Sequence, residues 1–296
     1  MNELKTEGIP FYIVDVFAEG KYSGNQLAVV ISRDKLNDDE MQRIAKEMNF
    51  SETTFITSVE NYDVRIFTPE VEIPFAGHPT IGTAFILQQE FMNEKAKTMS
   101  LNLKIGNIAI LFKYKGEILS EVWMEHKEPA FSGFFAPNLL ADVLRIDEND
   151  IDDRFKIQEV STGIPTLIVP LKSLDAIKKV RINIEKYTHL IQNTQAKSIL
   201  VFCPETYDKK NDLNVRFFAD YYGVPEDPAT GSANGCLAAY LVKYDYFGKK
   251  RIDTRVEQGY EIGRKSLLLL KAEEKEGKFY ITVGGKVLLI AKGTLL

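Results

Sequence analysis

The sequence predicts an α+β protein built from two similar halves, and three observations carry that expectation. Runs rich in β-forming residues outnumber helical segments and follow one another, which favours an antiparallel α+β architecture over alternating βαβ units. A small-residue loop feeding an apolar helix occurs twice, at Phe75-Ala-Gly-His-Pro-Thr-Ile-Gly-Thr-Ala-Phe-Ile-Leu87 and at Glu226-Asp-Pro-Ala-Thr-Gly-Ser-Ala-Asn-Gly-Cys-Leu-Ala-Ala-Tyr-Leu241. Flanking segments repeat with it, in the same order.

Setting Gly77 on Gly231 gives an offset of 154 residues, and His78 then meets Ser232, Ala84 meets Ala238 and Leu87 meets Leu241. Upstream, Val64-Arg-Ile-Phe-Thr-Pro69 matches Val215-Arg-Phe-Phe-Ala-Asp220 at 151, and Gly24-Asn-Gln-Leu-Ala-Val-Val30 matches Gly163-Ile-Pro-Thr-Leu-Ile-Val169 at 139. Apolar strand patterns constrain sequence loosely, so a chance likeness is the bland alternative. Three ordered matches that drift by modest insertions favour an internal duplication. Two equivalent helix N-termini are then expected to meet across a pseudo-twofold axis, with Gly77 and Gly231 at one shared site. The halves are read as 1–125 and 126–284, with the final strand, 285–296, a candidate to pack back onto the first.

Taken in order, Phe11–Phe17 starts a sheet, Tyr22–Asn25 is a turn and Leu27–Ile31 the next strand. Asn37 followed by Asp38, Asp39 and Glu40 starts a helix: an Asx cap, then acids at the positive dipole end, running to about Met48. Ser51 and Glu52 lead into a short strand, and Tyr62–Phe67 delivers the chain to the first organising loop. There Pro79 fits the first helical turn, where its missing N–H costs nothing. Strands are expected at Leu101–Ile105, Ile108–Lys113 and Leu119–Met124. Lys127–Asp153, mixed in Pro, Gly, Asp and Asn with a short helix near Leu139–Leu144, reads as the link between halves. Strand character resumes over Gln158–Val169. Helices are expected at Leu174–Ile177 and Ile184–Ile191, and strands at Ser198–Phe202 and Leu213–Phe218. After the second loop and helix, Val256–Glu261, Ser266–Ala272, Phe279–Val283 and Lys286–Ala291 close the chain as strands.

With 296 residues there is room for two domains. A net charge of −5 without a long basic run gives nucleic-acid binding no electrostatic support. No apolar window spans a bilayer, and Met1–Gly8 is too polar and acidic for a signal peptide. Cys203 and Cys236 are far apart, so a reducing cytoplasm is the expected home.

Most chemical fingerprints are missing. Gly259-Tyr-Glu-Ile-Gly-Arg-Lys-Ser266 fails as a phosphate loop, because Arg264 stands between the second Gly and the Lys; a turn between strands is expected. No nicotinamide or flavin fingerprint precedes a helix, and His78, His126 and His189 lie too far apart for a metal signature. The nucleophile elbow is absent, and Ser232 would need a base that sequence cannot show. No metal, flavin, nicotinamide or pyridoxal cofactor is expected.

Three residues stand out. Asp227 precedes a Pro and a small-residue run that would let a ligand approach a helix N-terminus; alternatively it merely fixes the turn. Glu52 stands between Ser51 and two Thr, and the common fate of such a Glu is solvation. His78, amid small and apolar neighbours, either bonds the local backbone or works.

Together, Ser51-Glu-Thr-Thr-Phe55, Phe67-Thr-Pro69 with Phe75-Ala-Gly-His-Pro-Thr80, and Glu226-Asp-Pro-Ala-Thr-Gly-Ser-Ala233 resemble the PhzF-like family, named for the phenazine-biosynthesis isomerase, from Phe11 to about Ala291. The resemblance implies the diaminopimelate epimerase-like fold: two pseudo-symmetric domains, each a mixed barrel-like sheet around a central helix, with the site in the cleft between. It implies that Glu52 is the acid/base, that Asp227, His78 and Ser232 position substrate and proton transfers, and that the Gly77/His78 and Gly231/Ser232 amides bind substrate. It also suggests a homodimer. The epimerases carry cysteines where His78 and Ser232 stand, so two-thiol racemisation is not expected. Cys236 lies one helical turn past Ser232 and should be buried behind the site. Gln26 departs from the family's usual Pro, so no role is carried over for Asn25.

The expected function is a cofactor-independent isomerase moving a proton on a small cyclic or unsaturated carboxylic acid, with Glu52 as base and a small carboxylate-bearing metabolite as partner. A non-catalytic small-molecule sensor or binding protein that kept the cleft is the other class open at this point. Solvent hydrogen exchange into a bound ligand separates the two.

Overall fold

A computed structural model describes residues 8–33 and 36–296. The N-terminal stretch read as too polar for a leader lies outside these residues, apart from Gly8. The chain divides into two compact units: Met1–Tyr22, Gln26–Met124 and Lys286–Leu296 form unit 1, and Ser23–Asn25 with Glu125–Gly285 form unit 2.

Unit 1 contains β1 (Ile9–Val16), β2 (Asn25–Ile31, whose first residue groups with unit 2), α1 (Asp38–Met48), β3 (Thr53–Ser58), β4 (Asp63–Phe67) and β5 (Glu72–Ile73). α2 (Gly77–Ile86), β6 (Thr98–Leu103), β7 (Gly106–Lys115), β8 (Ile118–Glu125) and the final strand, Val287–Leu295, complete it. The final strand pairs antiparallel with β1 along its length. From β1 the sheet passes to β2, then parallel to β3, antiparallel to β4, parallel to β6, and antiparallel through β7 to β8. All ten residues of α2 are buried, and the helix packs on β1, β3, β6 and the final strand, so the sheet curves around it. Gly82 permits that approach, because a Cβ there would lie 2.6 Å from Leu27 Cδ2 and 2.9 Å from Val16 Cγ2. Past Ile86 the helix loosens into a π turn, Leu87–Phe91. α1 lies on the other face. Asn37 and Glu40 form a reciprocal capping box, and Met41 and Ala45 pack with Val30, Phe55 and Phe67.

Unit 2 contains β9 (Ala130–Phe135), α3 (Pro137–Leu144), β10 (Ile157–Ser161), β11 (Pro165–Pro170), α4 (Leu174–Lys179), α5 (Ile184–Gln192), β12 (Ile199–Cys203) and β13 (Leu213–Phe218). α6 (Gly231–Lys243), β14 (Arg251–Gln258), β15 (Ser266–Lys275) and β16 (Lys278–Gly285) follow, which makes the chain's last strand β17. The pairing runs β9, β10 and β11 antiparallel, β12 parallel, β13 antiparallel, β14 parallel, then β15 and β16 antiparallel. This is the unit 1 order again, with β17 at the place of β9. The duplication therefore extends to strand order and direction. Gly24 and Gly163 hold positive φ (75° and 146°) ahead of the equivalent strands β2 and β11. α6, with eleven of its thirteen residues buried, is the central helix, packed on β10, β11, β14, β15 and β16.

Two expectations need correction. Lys127–Asp153 is not a link: its middle forms β9 and α3, and Leu140, Val143 and Leu144 sit in a core with Ile177, Tyr187 and Val201. Its polar composition reflects the short turns between these elements. Nor does a strand run to Glu261: β14 ends at Gln258, and Gly259 at φ 77° opens the turn. Arg264 of that turn donates to the carbonyls of Gly24 (3.0 Å) and Ser23 (3.1 Å), which fixes the loop carrying Asn25 within unit 2.

Candidate active site

The two central helices start in the same way. α1, α4 and α5 are capped by the side chains of Asn37, Ser173 and Asn183, whereas α2 and α6, like α3, follow extended residues, Ala76 and Thr230, with no side-chain cap. Instead, the fourth helical residue bonds back to the cap carbonyl. Thr80 Oγ1 donates to Ala76 O (2.7 Å), and Asn234 Nδ2 donates to Thr230 O (3.0 Å). Neither helix has a side-chain cap on its first amides, those of Gly77/His78 and Gly231/Ser232, which lie at the positive end of a dipole.

Each start is approached through an ion pair. Arg65 Nε and Nη2 fork onto Glu72 (2.9 and 3.0 Å), and Arg216 Nε and Nη2 fork onto Glu226 (2.8 and 2.7 Å). Both guanidinium groups stack on the Phe two residues on, at 5.1 Å for Phe67 and 4.9 Å for Phe218. Glu72 and Glu226 each stand five residues ahead of the helix-start glycine. The bond from Arg65 holds the Glu72 carboxyl below the usual range.

In unit 1 the structure brings Glu52 to His78. Thr83 Oγ1 donates to Thr54 Oγ1 (2.8 Å), which donates to Ala28 O (3.5 Å), so the start of β3 is tied to α2 and β2. Glu52, one residue before β3, then lies with Oε2 at 3.5 Å from His78 Nε2. The solvated fate weighed for Glu52 is not realised, since its side chain is 16% exposed and that of His78 4%. Burial pushes the His78 ring down to about 3, against a hydrogen bond to the Gln26 backbone that pulls it up, so the imidazole is neutral.

In unit 2, Asp227 is buried among donors. Asn25 Nδ2 donates to Asp227 Oδ1 (2.9 Å) and to Ala229 O (2.9 Å), and Thr230 Oγ1 donates to Asp227 Oδ2. Gln258 Nε2 donates to Asp227 O (2.8 Å) and Thr230 Oγ1 (3.0 Å), while its Oε1 accepts from Thr230 N (3.1 Å) and Asn234 Nδ2 (3.0 Å). Asp227 does fix the turn, as the bland reading held, but within a network that ends at the start of α6. Ser232 is its second residue and half-buried. Sequence reasoning missed Gln258, Thr230 and Asn234, and carried no role for Asn25. The available signal was Glu257-Gln258, two polar residues closing a strand just before a glycine.

The other residues weighed do not join these sets. His126 bonds Thr162 (3.0 Å) and lies over Gly235, where a Cβ would come within 2.2 Å of its ring. Cys236 is fully buried, 3.6 Å from Thr162 Oγ1, and burial holds its thiol up. His189 is exposed in the last turn of α5. Among the described residues no cluster of His, Cys, Asp or Glu could hold a metal, and no helix is long and apolar enough to cross a membrane.

This fold and its known relatives place the chain among the isomerases. The chain belongs to the phenazine biosynthesis-like (PhzC-PhzF) family, whose model matches residues 14–293. It is 34% identical to the uncharacterized isomerase YfhB of Bacillus subtilis, over 92% of this chain and 93% of that one. It is 32% identical to the trans-2,3-dihydro-3-hydroxyanthranilate isomerase of Pseudomonas fluorescens, over 97% and 99%. The crystal structure of a Bacillus anthracis phenazine biosynthesis protein of the PhzF family superposes with a TM-score of 0.89 at 30% identity, covering 98% and 100%. A hydroxyproline epimerase of Agrobacterium vitis shares the fold alone, at 10% identity and a TM-score of 0.63.

Proposed function

We propose that this isomerase shifts a proton between two carbons of a small, unsaturated, carboxylate-bearing ring, with Glu52 as the proton carrier and without a cofactor. The observation that carries the reading is the pair of half-buried Glu52 with buried His78 at an uncapped helix start. In the proposed step the Glu52 carboxylate takes a proton from a carbon next to the double bond. The C–H electrons form a new double bond, the old one moves along the ring, and Glu52 returns the proton at the far end. No oxidant or reductant is needed. Neutral His78 orients the carrier and does not compete as a cation. The Gly77/His78 amides, at the start of α2 beside Glu52, hold the substrate carboxylate. The start of α6 offers the equivalent Gly231/Ser232 amides, with Asp227 as an acceptor for a donor group on a substrate.

The relative named for trans-2,3-dihydro-3-hydroxyanthranilate makes that acid the first probe. In D₂O, NMR should show deuterium entering the product carbon. Glu52→Gln keeps the shape, removes the ionisable proton and should slow turnover about 10²–10⁴-fold. A folded Glu52→Gln protein working at the wild-type rate refutes the mechanism. Binding of the probe without labelling, alongside binding but no turnover of other unsaturated ring acids, favours the sensor class instead.

A further inference from the structure

We propose that Gln258 is a positioning residue that sets the hydrogen-bond polarity around Asp227 and so keeps its carboxylate an acceptor at both oxygens. The inference rests on the reading above that Asp227 belongs to the site.

The argument starts from backbone groups, whose donor or acceptor character is not in question. A carbonyl can only accept and an N–H can only donate. The Gln258 carboxamide lies between the Asp227 carbonyl (2.8 Å) and the Thr230 N–H (3.1 Å), so its NH₂ must face the first and its oxygen the second. Flipping the amide would set two acceptors and two donors against each other. With that orientation fixed, the second NH₂ hydrogen reaches Thr230 Oγ1 at 3.0 Å. The Thr230 hydroxyl therefore receives a bond from Gln258, and its own proton turns to Asp227 Oδ2. Asn25 is fixed in the same manner. Its NH₂ faces the carbonyl of Ala229 (2.9 Å), and the same group donates to Asp227 Oδ1 (2.9 Å).

Both carboxylate oxygens thus meet donors whose direction is dictated from the backbone, two and three bonds away. Gln258 and Asn234 are fully buried and Asn25 nearly so, so water cannot easily rearrange the chain of bonds. Bonds donated to the charged form favour it. Protonating Asp227 would require Thr230 or Asn25 to give up its place. Asp227 is accordingly a fixed acceptor for a donor on the substrate.

The test reads Asp227 directly, without turnover. The full chain is labelled with aspartate ¹³C at the carboxyl carbon, and the Asp227 signal, assigned with Asp227→Asn, is titrated. Thr230→Val should raise its midpoint by about one to two pH units, the worth of one hydrogen bond to a charged group. Gln258→Met, which keeps the shape and drops the donor, should raise it less, because the freed hydroxyl divides between orientations. The double variant should match Thr230→Val alone. A folded Gln258→Met with an unmoved midpoint, or a double variant showing the sum of the two shifts, overturns the proposal. If Gln258→Met does not fold, Gln258→Glu takes its place. Its shift should shrink in the Thr230→Val background, and an equal shift in both backgrounds counts as refutation. A failed labelling experiment with the probe acid would leave these midpoints as they are, so the two readings fail separately.

Discussion

Two buried histidines should make this protein lose stability on mild acidification, by an amount the structure sets. His78 is pushed down to about 3 and His126 to about 4, in both cases by burial. The unfolded rings return to the ordinary value of 6.5. Between these values the unfolded chain binds protons that the folded chain refuses. Unfolding free energy therefore rises with pH in this window. The contribution is complete above pH 6.5 and is lost as pH falls toward 4 and then 3. One full proton is worth about 1.4 kcal/mol per pH unit. Between pH 6 and 5 each unfolded ring is largely charged, so each histidine contributes about 1.2 kcal/mol per unit, and the pair about 4 kcal/mol between pH 8 and 5. That is a large part of the 5–15 kcal/mol typical of a folded domain. Carboxyls held low by partners, such as Asp38 beside Arg65 and Asp152 beside Arg154, act mostly below this window and are common to every variant compared. The assay is urea unfolding at half-unit steps from pH 8 to 5 for wild type, His78→Gln and His126→Gln. Absolute stability will change for other reasons, so the slope is the observable. Each substitution should flatten it by about 1.2 kcal/mol per unit between pH 6 and 5. Slopes that coincide with wild type would refute the claim that these rings are held neutral.

The same buried packing gives two further expectations. Gly235→Ala places a methyl 2.2 Å from the His126 ring, so the ring must leave Thr162. A loss of about 1–3 kcal/mol, typical of overpacking, should appear in thermal melts and be partly restored by adding His126→Ala. Cys236→Ser should keep turnover of the probe acid within about threefold, because a fully buried thiol held up by burial is a poor proton carrier. A folded but inactive Cys236→Ser enzyme would revive thiol chemistry.

What the sequence made legible was periodic or repeated. The Asn37 cap, the apolar helix after Gly77 and the ordered offsets all rest on local patterns, and they foretold the α+β class and the doubled organisation. Lys127–Asp153 misled because turn residues dominate its composition, while the few apolar residues that matter, Leu140, Val143 and Leu144, earn their place only through partners far along the chain. The same limit hid Gln258. A Gln at the end of a strand looks solvent-facing. Its four bonds run to residues 24 to 31 positions away, which no periodicity reports. Glu52 shows the converse. Sequence physics favoured a solvated carboxylate, and the pairing with His78 comes from a contact 26 positions along the chain, with the neighbouring β3 tied to α2 by the bond between Thr54 and Thr83.

The duplication is kept more faithfully in the supports of the helix starts than in the groups displayed there. At position two of the helix one half presents His78 and the other Ser232, two side chains with no chemistry in common beyond hydrogen bonding. Behind them the same arginine atoms fork the same glutamate atoms, stack on the same phenylalanine and stand at the same distance from the glycine. Stability alone does not account for this. The first pair is partly exposed, where ion pairs contribute little, and the second is buried, with the Arg216 side chain 5% exposed, where desolvation offsets most of the attraction. What a bidentate fork supplies in both settings is direction. It fixes the approach of five residues to a helix whose first amides carry no side-chain cap, and Arg216 adds bonds to the carbonyls of Ile177 and Val180 that anchor the fork to the chain around α4. An uncapped helix start is useful to a ligand only if it cannot close on itself. The paired Arg–Glu forks, with Thr80 and Asn234 taking the cap carbonyls, hold both helix starts in the same way, while the residue at the second helical position differs between the halves.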